Sequence, residues 1–525
     1  MVRQMRAETP PGGPEHHPEW GPFGVPLFDG PEAQSLQRVG VIDIGSNSVR
    51  MVIFDGAARS PAYFFNEKIL CGLGAGFSET GKLNPEGKAR AMVALKRFAR
   101  LAEAAKVAPL LAVATAAVRD AEDGPDFREA VRRETGLEIR VIDGTEEARL
   151  SAQGVLLGWP GAEGLICDIG GSSMELAELK GSGKVGRRAT SDLGPLKLMG
   201  ITGGKKALRA HIKAEVAKLS QEFDDSCERL FLVGGSWRAI ARIDMERRGY
   251  PLKVLHEYRM TPQGILDTIK YIGKTDLEAL RNSTGTSMDR MRLVPHAAEV
   301  LRVLVRKLKP REIAVSSYGI REGLLYEQMS EALRKRDPLI EAARHSEAQS
   351  ARMPGFGRQL YRFVEPLFPR ARADKKRLIR AACLLHDVSW RAHPDYRAEV
   401  CFDNATRANL GGMTHAERVY LGLALLHRYK SSRTGTGFDP ALLDLLPEAQ
   451  VREAEILGRA MRFGAMFAVA NPSDHGTLAF RSKRKELILT LHTDAGRDLF
   501  GEVAQARFKA LATAMGVVPI VKGGA

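Results

Sequence analysis

The sequence predicts an α/β fold in which two similar lobes are followed by a mostly helical domain. Residues 39–48 and 164–173 each join a β-branched apolar stretch to an aspartate and then to a turn of Gly, Ser and Asn. The apolar stretch is typical of a buried strand, and the turn leaves its end. Two such segments indicate duplicated half-domains. From about residue 338, patterns rich in Ala, Leu and Arg predict helices.

Length sets the number of domains. A chain of 525 residues with 44% hydrophobic and 27% charged residues is too long for one core and is typical of roughly three globular domains. We expect a disordered tail rich in Pro and Gly over 1–37, a first lobe over 38–160, a second lobe over 161–330 and a helical domain over 335–525.

The individual elements follow from local patterns. In the first lobe, strands are predicted at 40–44, 50–54, 110–114 and 139–142, with an amphipathic helix at 86–105. In the second lobe, a strand begins near 164, and others are predicted at 231–233 and 313–315. The helical domain includes a predicted strand near 486–492.

The charge of the chain favours a polyanionic partner. The formal net charge is +15, but the basic residues are dispersed and aromatic residues make up only 6%. This composition argues against a specific nucleic-acid surface, which would use aromatic side chains to stack bases, and it favours a phosphate chain. No apolar run is long enough to span a membrane and no hydrophobic signal core is evident, so we expect a cytoplasmic protein without a membrane partner.

The two Gly-rich turns have the chemistry of phosphate loops. A turn without Cβ atoms lets backbone N–H groups and hydroxyls approach phosphate oxygens. Asp43 and Asp168 precede the turns, where a divalent cation beside a phosphate would need hard oxygen ligands.

Seven short motifs occur in a fixed order along the two lobes. They are 43–50, 114–119, 142–149, 168–175, 194–198, 233–236 and 318–323. This ordered set resembles the exopolyphosphatase / guanosine pentaphosphate phosphohydrolase (Ppx/GppA) family. The resemblance implies two RNase H-like lobes of the actin, sugar-kinase and DnaK-type ATPase superfold with a cleft between them, and a C-terminal HD-like helical domain.

The resemblance also implies roles for site residues. The loops would bind neighbouring phosphates through Gly45, Ser46, Asn47 and Ser48, and through Gly170, Gly171, Ser172 and Ser173. Further phosphate contacts would come from Arg50, Arg119 and Lys197, because a guanidinium suits bidentate phosphate contact. The residues around Mg²⁺ would be Asp43, Asp168 and Glu175, partly through water.

Glu146 is the predicted catalytic base. It follows the strand at 139–142 through a short turn and opens a helix, where an exposed carboxylate can orient and deprotonate water. By resemblance, the first acid of the Glu-Glu-Ala-Arg run has this role. The alternative is an acid that merely stabilises the first turn of a helix, which explains Glu147 adequately.

One stretch departs from the family pattern. The family shows Arg-x-Asp-x-Ile-x-x-Gly near the end of the second lobe, whereas this chain has Arg292 for the Asp and Ala297 for the Gly, with His296 beside it. We expect the change to add positive charge near the cleft.

The helical domain contains residues that resemble the HD phosphohydrolase metal site. They are His345, His386, Asp387 and His427. The terminal Asp of that arrangement is missing, because 459–467 contains no acid, which leaves a three-ligand site completed by His393 or His415 as the alternative. The favoured interpretation is a helical domain that extends a basic channel without a second metal.

These observations favour a Mg²⁺-dependent hydrolase that releases orthophosphate from the end of inorganic polyphosphate. The alternative substrate is guanosine pentaphosphate (pppGpp), and the named residues cannot separate the two. Other classes are a kinase of the same superfold and a non-catalytic polyphosphate or alarmone sensor. A homodimer is expected only by analogy with long relatives.

Overall fold

The computed structural model describes residues 23–224, 227–434 and 436–523. Its strands are β1 Val39–Ile44, β2 Ser48–Asp55, β3 Ala62–Leu70, β4 Leu110–Ala114, β5 Ile139–Val141, β6 Gly164–Ile169, β7 Met174–Lys180, β8 Lys184–Ser191, β9 Arg229–Val233, β10 Arg259–Met260, β11 Glu312–Val315, β12 Gly476–Arg481, β13 Glu486–Leu491 and β14 Val518–Gly523.

The α-helices are α1 Pro31–Gln34, α2 Phe77–Thr80, α3 Pro85–Ala104, α4 Ala116–Asp120, α5 Gly124–Thr135, α6 Gly144–Gly158, α7 Pro195–Met199, α8 Gly204–Ser220, α9 Gly235–Arg247, α10 Pro262–Ile272, α11 Leu277–Thr284, α12 Met288–Met291, α13 Val294–Leu308, α14 Ile320–Gln328, α15 Glu331–Arg334, α16 Pro338–Ser350, α17 Phe356–Val364, α18 Ala373–Leu385, α19 Arg397–Arg407, α20 His415–Tyr429, α21 Glu448–Phe467, α22 Pro472–His475, α23 Asp494–Leu499 and α24 Glu502–Met515.

Two sheets that share a five-strand pattern form the α/β part of the chain, and the second adds β10 at one edge. The first has the order β3-β2-β1-β4-β5, with β1 antiparallel to β2 and parallel to β4. The second has the order β10-β11-β9-β6-β7-β8, with β6 antiparallel to β7 and parallel to β9. We call the parts built on these sheets the first and second lobe. The shared strand pattern confirms the predicted fold class of two similar lobes, although the exact domain boundaries stay a prediction.

Helices α6 and α14 connect the lobes and lie directly against each other. Gly154 of α6 faces the carbonyl of Gly319, and Gly323 of α14 faces the carbonyl of Leu150. A methyl group at either glycine would overlap the opposing backbone, so the glycines permit this close approach. The two helices therefore run antiparallel, and the first turn of α14 packs against the middle of α6, at residues 150–154.

The remaining helices, α16 to α24, form a helical domain around an apolar core. Its small sheet has the order β12-β13-β14. The core contains aromatic contacts such as Phe363 with Phe467, whose ring centroids lie 5.8 Å apart. In the described part of the chain, no helix combines the length and apolarity needed to cross a membrane.

The prediction of a disordered tail is wrong for residues 23–37, the part of the tail that the structure describes. Residues 23–37 contain α1 and bury Phe23 and Phe28. The ring of Phe23 lies 5.4 Å from that of Tyr361, and the guanidinium of Arg344 donates to the Phe23 carbonyl at 2.9 Å. Apolar side chains that reach the helical domain thus order a segment whose Pro and Gly content suggested disorder. Residues 1–22 lie outside the described residues.

Candidate active site

A cleft of about 490 Å³ opens where β1 and β6 end. The first loop turns between β1 and β2, and the Gly45 N–H donates to the Ser48 carbonyl at 3.0 Å. The second turns between β6 and β7, and the Gly170 N–H donates to the Ser173 carbonyl at the same distance. All eight loop residues predicted to bind phosphate line the cleft: Gly45, Ser46, Asn47, Ser48, Gly170, Gly171, Ser172 and Ser173.

Four carboxylates gather beside the loops. Asp43, Glu147 and Asp168 line the cleft, and Glu175 is fully buried next to Asp168 in the paired strands β6 and β7. The Ser151 hydroxyl donates to Asp168, and the Thr190 hydroxyl donates to Glu175 at 3.1 Å.

Burial is the largest cause that raises the pKa of each of these carboxyl groups. For Glu147, the negative charges of Glu175, Asp168 and Asp43 raise the pKa further. For Asp43, the nearby Arg321 and Arg50 oppose the effect of burial. The cluster therefore concentrates negative charge that a bound cation would stabilise.

These acids fit a divalent cation bound largely through water and phosphate. No group of three or more His, Cys, Asp or Glu side chains in the described ranges is arranged to chelate a metal. Mg²⁺ usually keeps several waters and takes only one or two carboxylates together with substrate phosphates. One buried oxygen of Glu147 and one of Glu175 have no hydrogen-bond partner within the described structure, which is consistent with a nearby cation or its waters.

Five basic side chains line the same cleft: Arg50, Lys68, Arg238, Arg290 and Arg321. Burial, together with the positive charge of neighbours in this set, lowers the pKa of Lys68 and lowers that of Arg238 to about 10. Arg321 lies 3.8 Å from a carboxylate oxygen of Asp43. Like charges crowded in this way favour binding of an anion with several charges.

The packing of Arg290 depends on a glycine. Its guanidinium occupies the space into which a side chain at Gly235 would project. Gly235 opens α9, in the predicted 233–236 motif. The motif thus makes room for a cation, a role that the sequence did not reveal.

The structure places Glu146 outside the lining of the cleft. Its carboxylate accepts from Arg149 at 2.7 Å and also pairs with Arg140, and both arginines pair with Glu327 of α14. The hydrogen bond from Arg149 lowers its pKa, and Glu146 is not among the residues that line the cleft. Successive residues of a helix point about 100° apart, so the two adjacent glutamates point in different directions, and one of them lines the cleft. That residue is Glu147.

Two predicted phosphate contacts also lie outside the lining of the cleft. The ammonium group of Lys197 pairs with Asp192 at 2.6 Å, and the preceding Leu196 lines the cleft instead. Arg119 pairs with Asp120 at 2.7 Å, although its charge still lowers the pKa of Glu147. Neither side chain lines the cleft, and their roles as phosphate contacts stay predictions.

The departure from the family pattern does not change the cleft charge as expected. Arg290 lines the cleft, whereas Arg292 is exposed and, like His296, is not among the lining residues. Burial lowers the pKa of His296, which opposes its protonation. The substituted stretch therefore gives the cleft no cation beyond Arg290.

The HD-like residues do not form a metal centre within the described residues. Arg352 forms a bidentate pair with Asp387, at 2.6 and 2.8 Å, and thereby neutralises the acid that a metal would need. His386 bonds to the Cys383 carbonyl, and His415 bonds to Tyr250 and to the backbone of the second lobe. His345 packs against Phe28. His427 is buried, and burial lowers its pKa.

Known proteins match both parts of the chain. Residues 40–332 match the model of the Ppx/GppA phosphatase family, and residues 339–518 match the model described as exopolyphosphatase, C-terminal. Exopolyphosphatase 1 of Mycobacterium tuberculosis is 28% identical over 314 residues, which cover 56% of this chain and 88% of the relative. Exopolyphosphatase 2 of the same organism is 26% identical over 318 residues, which cover 55% and 98%.

Solved structures share the fold of the two lobes. The Ppx/GppA family member of Aquifex aeolicus superposes with a TM-score of 0.50 at 24% identity, covering 57% of this chain and 99% of that one. An exopolyphosphatase from Cytophaga hutchinsonii gives a TM-score of 0.50 at 22% identity, covering 56% and 99%. Because the family model spans more than half of the sequence and contains both loops of the cleft, this chain belongs to the Ppx/GppA phosphatase family.

Proposed function

We propose that this protein hydrolyses the terminal phosphoanhydride of inorganic polyphosphate and releases orthophosphate, with Mg²⁺ as its cofactor. The observation that carries the proposal is that the cleft contains both a group of basic side chains and a group of carboxylates. Five cations and the carboxylates of Asp43, Glu147, Asp168 and Asp289 line a ligand space bounded by two phosphate-type loops, and Glu175 is buried beside Asp168. Phosphoryl transfer requires this combination of charge neutralisation, positioning and a group that activates water.

The lining of the cleft favours an inorganic chain over a nucleotide. Among the described residues that line it, none is aromatic, so no platform for stacking guanine is present. The similar mycobacterial proteins are named exopolyphosphatases, which supports the same substrate class here. Guanosine pentaphosphate is the competing substrate that the experiment below tests.

In the proposed mechanism, Glu147 is the general base. Its carboxylate faces the cleft from the first turn of α6. Because its pKa is raised, that pKa lies closer to the operating pH than the pKa of an ordinary glutamate, which favours base catalysis. Glu147 would take a proton from water as the water oxygen bonds to the terminal phosphorus. The bond between that phosphorus and the bridging oxygen then breaks, and the shortened chain keeps the bridging oxygen.

The other residues hold the phosphates and balance their charge. The backbone N–H groups and hydroxyls of the two loops would bind neighbouring phosphates, while Arg238, Arg290 and Arg321 neutralise oxygens of the chain. Bound Mg²⁺, held by Asp43 and Asp168 with Glu175 behind them, would supply further neutralisation of the phosphoryl oxygens.

Phosphate release by the purified protein tests this function. Long-chain polyphosphate and guanosine pentaphosphate would be compared at equal concentrations of terminal phosphate, with Mg²⁺ and with a chelator. We expect faster release from polyphosphate, and loss of release with the chelator. A clear preference for guanosine pentaphosphate would overturn the substrate assignment, and tight binding of polyphosphate without phosphate release would indicate a sensor.

A further inference from the structure

A short loop of the helical domain inserts between the two lobes. Residues 408–414, which we call the arm, connect α19 to α20. On the first lobe, the Ser60 hydroxyl donates to the Asn409 carbonyl and accepts from the Gly411 N–H, both at 3.1 Å. The Gly412 N–H donates to the carbonyl of Gly158, the last residue of α6, at 2.8 Å. The arm thus bonds to the backbone where the chain leaves the first lobe.

One side chain of the arm bridges the two lobes. The amide N–H of Asn409 donates to the Pro61 carbonyl at 2.7 Å, just before β3. Its amide oxygen accepts from the Tyr318 hydroxyl at 3.1 Å, in the segment between β11 and α14. Beside it, Nε2 of His415 donates to the His256 carbonyl at 3.0 Å. Asn409 therefore links the first lobe to the segment that connects β11 of the second lobe to α14.

The arm and its partners have a defined conformation. Arg418, which is 1% exposed, donates to the carbonyls of Ala408 and Leu410 on either side of Asn409, at 2.8 and 2.7 Å. Beside the arm contacts, Arg59 and Glu257 have positive φ angles of 62° and 68°. Non-glycine residues keep this conformation only where the surrounding contacts determine it.

The same contacts lead directly to the cleft. The Ser317 N–H donates to Nδ1 of His256 at 3.3 Å, and Ser317 lines the cleft. Tyr318 is buried behind it, and three residues later Arg321 lies 3.8 Å from Asp43. Residues 317–321 consequently have the ligand space on one side and the arm on the other.

We propose that Asn409 is a positioning residue, which acts through Tyr318 to fix residues 317–321 and so the guanidinium of Arg321 toward the phosphate chain. The helical domain would then contribute to turnover without lining the cleft. This inference rests on the proposed function for its kinetic readout, and Asn409 itself lies in none of the predicted motifs.

The test uses the full-length protein and four variants. Asn409→Ala and Tyr318→Phe remove either side of the link, and Ser60→Ala is the matched control, because it removes a contact with the arm that does not involve Tyr318. Arg321→Gln supplies the background for a double-mutant comparison. The measurements are kcat and KM for polyphosphate and the melting temperature of each variant.

We expect Asn409→Ala and Tyr318→Phe each to lower kcat about fivefold to tenfold, with a melting temperature close to that of Ser60→Ala, whose kcat stays within about twofold of the wild type. Combining Asn409→Ala with Arg321→Gln should cause no loss beyond that of Arg321→Gln alone. Multiplicative losses in the double variant, or equal losses in Ser60→Ala and Asn409→Ala, would overturn the proposal. If Asn409→Ala does not fold, Tyr318→Phe decides by the same criteria.

The failure of the proposed function would be recognised separately. If the wild type releases no phosphate from polyphosphate, that function is wrong, and the positioning role is judged by calorimetric binding of tripolyphosphate. Weaker binding in Asn409→Ala and Tyr318→Phe, with unchanged binding in Ser60→Ala, would support positioning. Unchanged binding in all three variants would overturn it.

Discussion

The hydroxyl oxygens of Ser46 and Ser172 lie 3.4 Å apart, although the two residues are 126 positions apart in the sequence. Each belongs to a loop that leaves an interior strand of its own sheet, and five strands of the second sheet repeat the strand order of the first. The contact shows that the duplicated halves close their loops onto one point rather than forming two sites. A single phosphate chain that enters the cleft can therefore contact both loops at once.

Replacing Arg290 tests the positive side of the cleft. We expect Arg290→Gln to raise KM for polyphosphate about tenfold, because a charged hydrogen bond to phosphate is lost, with a smaller effect on kcat. The dependence of KM on ionic strength should also weaken. Arg311→Gln is the control, since Arg311 is an exposed residue that pairs with Glu228 outside the cleft. Equal effects of the two variants would contradict a specific role for Arg290.

Replacing Gly235 tests how Arg290 is placed. In Gly235→Ala, the new methyl group would displace the guanidinium of Arg290, the flexible end of a side chain, so the melting temperature should change little. KM should rise about as much as in Arg290→Gln, and the double variant should be no worse than either single one. A wild-type KM in Gly235→Ala would show that the position of Arg290 does not limit binding.

The pH dependence of stability tests the environment of Glu147. Burial and nearby acids raise its pKa in the folded protein, so the folded state binds the proton more tightly than the unfolded state does. The resulting stabilisation is present at low pH and is lost as the pH rises above about 4.5, the ordinary range of a glutamate, through the raised pKa.

Glu147→Gln removes this titration. Its melting temperature should therefore fall less between about pH 5 and pH 8 than that of the wild type, and at pH 8 it should exceed the wild-type value by about 2–4 °C. Differential scanning calorimetry without Mg²⁺ measures both curves. Parallel curves would show that Glu147 ionises as easily in the folded protein as in the unfolded one.

Elemental analysis tests the interpretation of the helical domain. Because Arg352 pairs with Asp387 through two hydrogen bonds, chelator-washed protein should contain no stoichiometric metal bound at His386. His386→Ala should leave the metal content unchanged. Metal that resists the chelator and is lost in His386→Ala would show that the HD-like residues bind a metal ion.

The main architecture could be predicted because its signals are local. The apolar runs of β1 and β6 are buried and end in Gly-rich turns, so pattern alone identifies them. The amphipathic edge strand β3 was missed, since Ala62–Leu70 mixes polar and apolar residues and is largely exposed. It contributes Lys68 to the cleft, a contact that depends on strand pairing rather than on a motif.

The side chains of the site were harder to predict because they depend on orientation. A sequence motif identifies two adjacent glutamates but not which one faces the cleft, and that choice follows from the pairing of Glu146 with Arg149. Lys197 likewise belongs to a recognised motif but pairs with Asp192. The eight loop residues line the cleft because their backbone, rather than a rotatable side chain, forms the turn, and their binding of phosphate stays a prediction.

The most direct test of the account compares phosphate release from polyphosphate by Glu147→Gln and Glu146→Gln, purified in the same way and with the same Mg²⁺ concentration. We predict that Glu147→Gln lowers kcat by at least about 100-fold, because the general base is lost. Glu146→Gln should lower it by less than about tenfold, because it loses only ion pairs with Arg140 and Arg149. A severe loss in Glu146→Gln with near-normal turnover in Glu147→Gln would contradict the assignment of the base and the mechanism built on it.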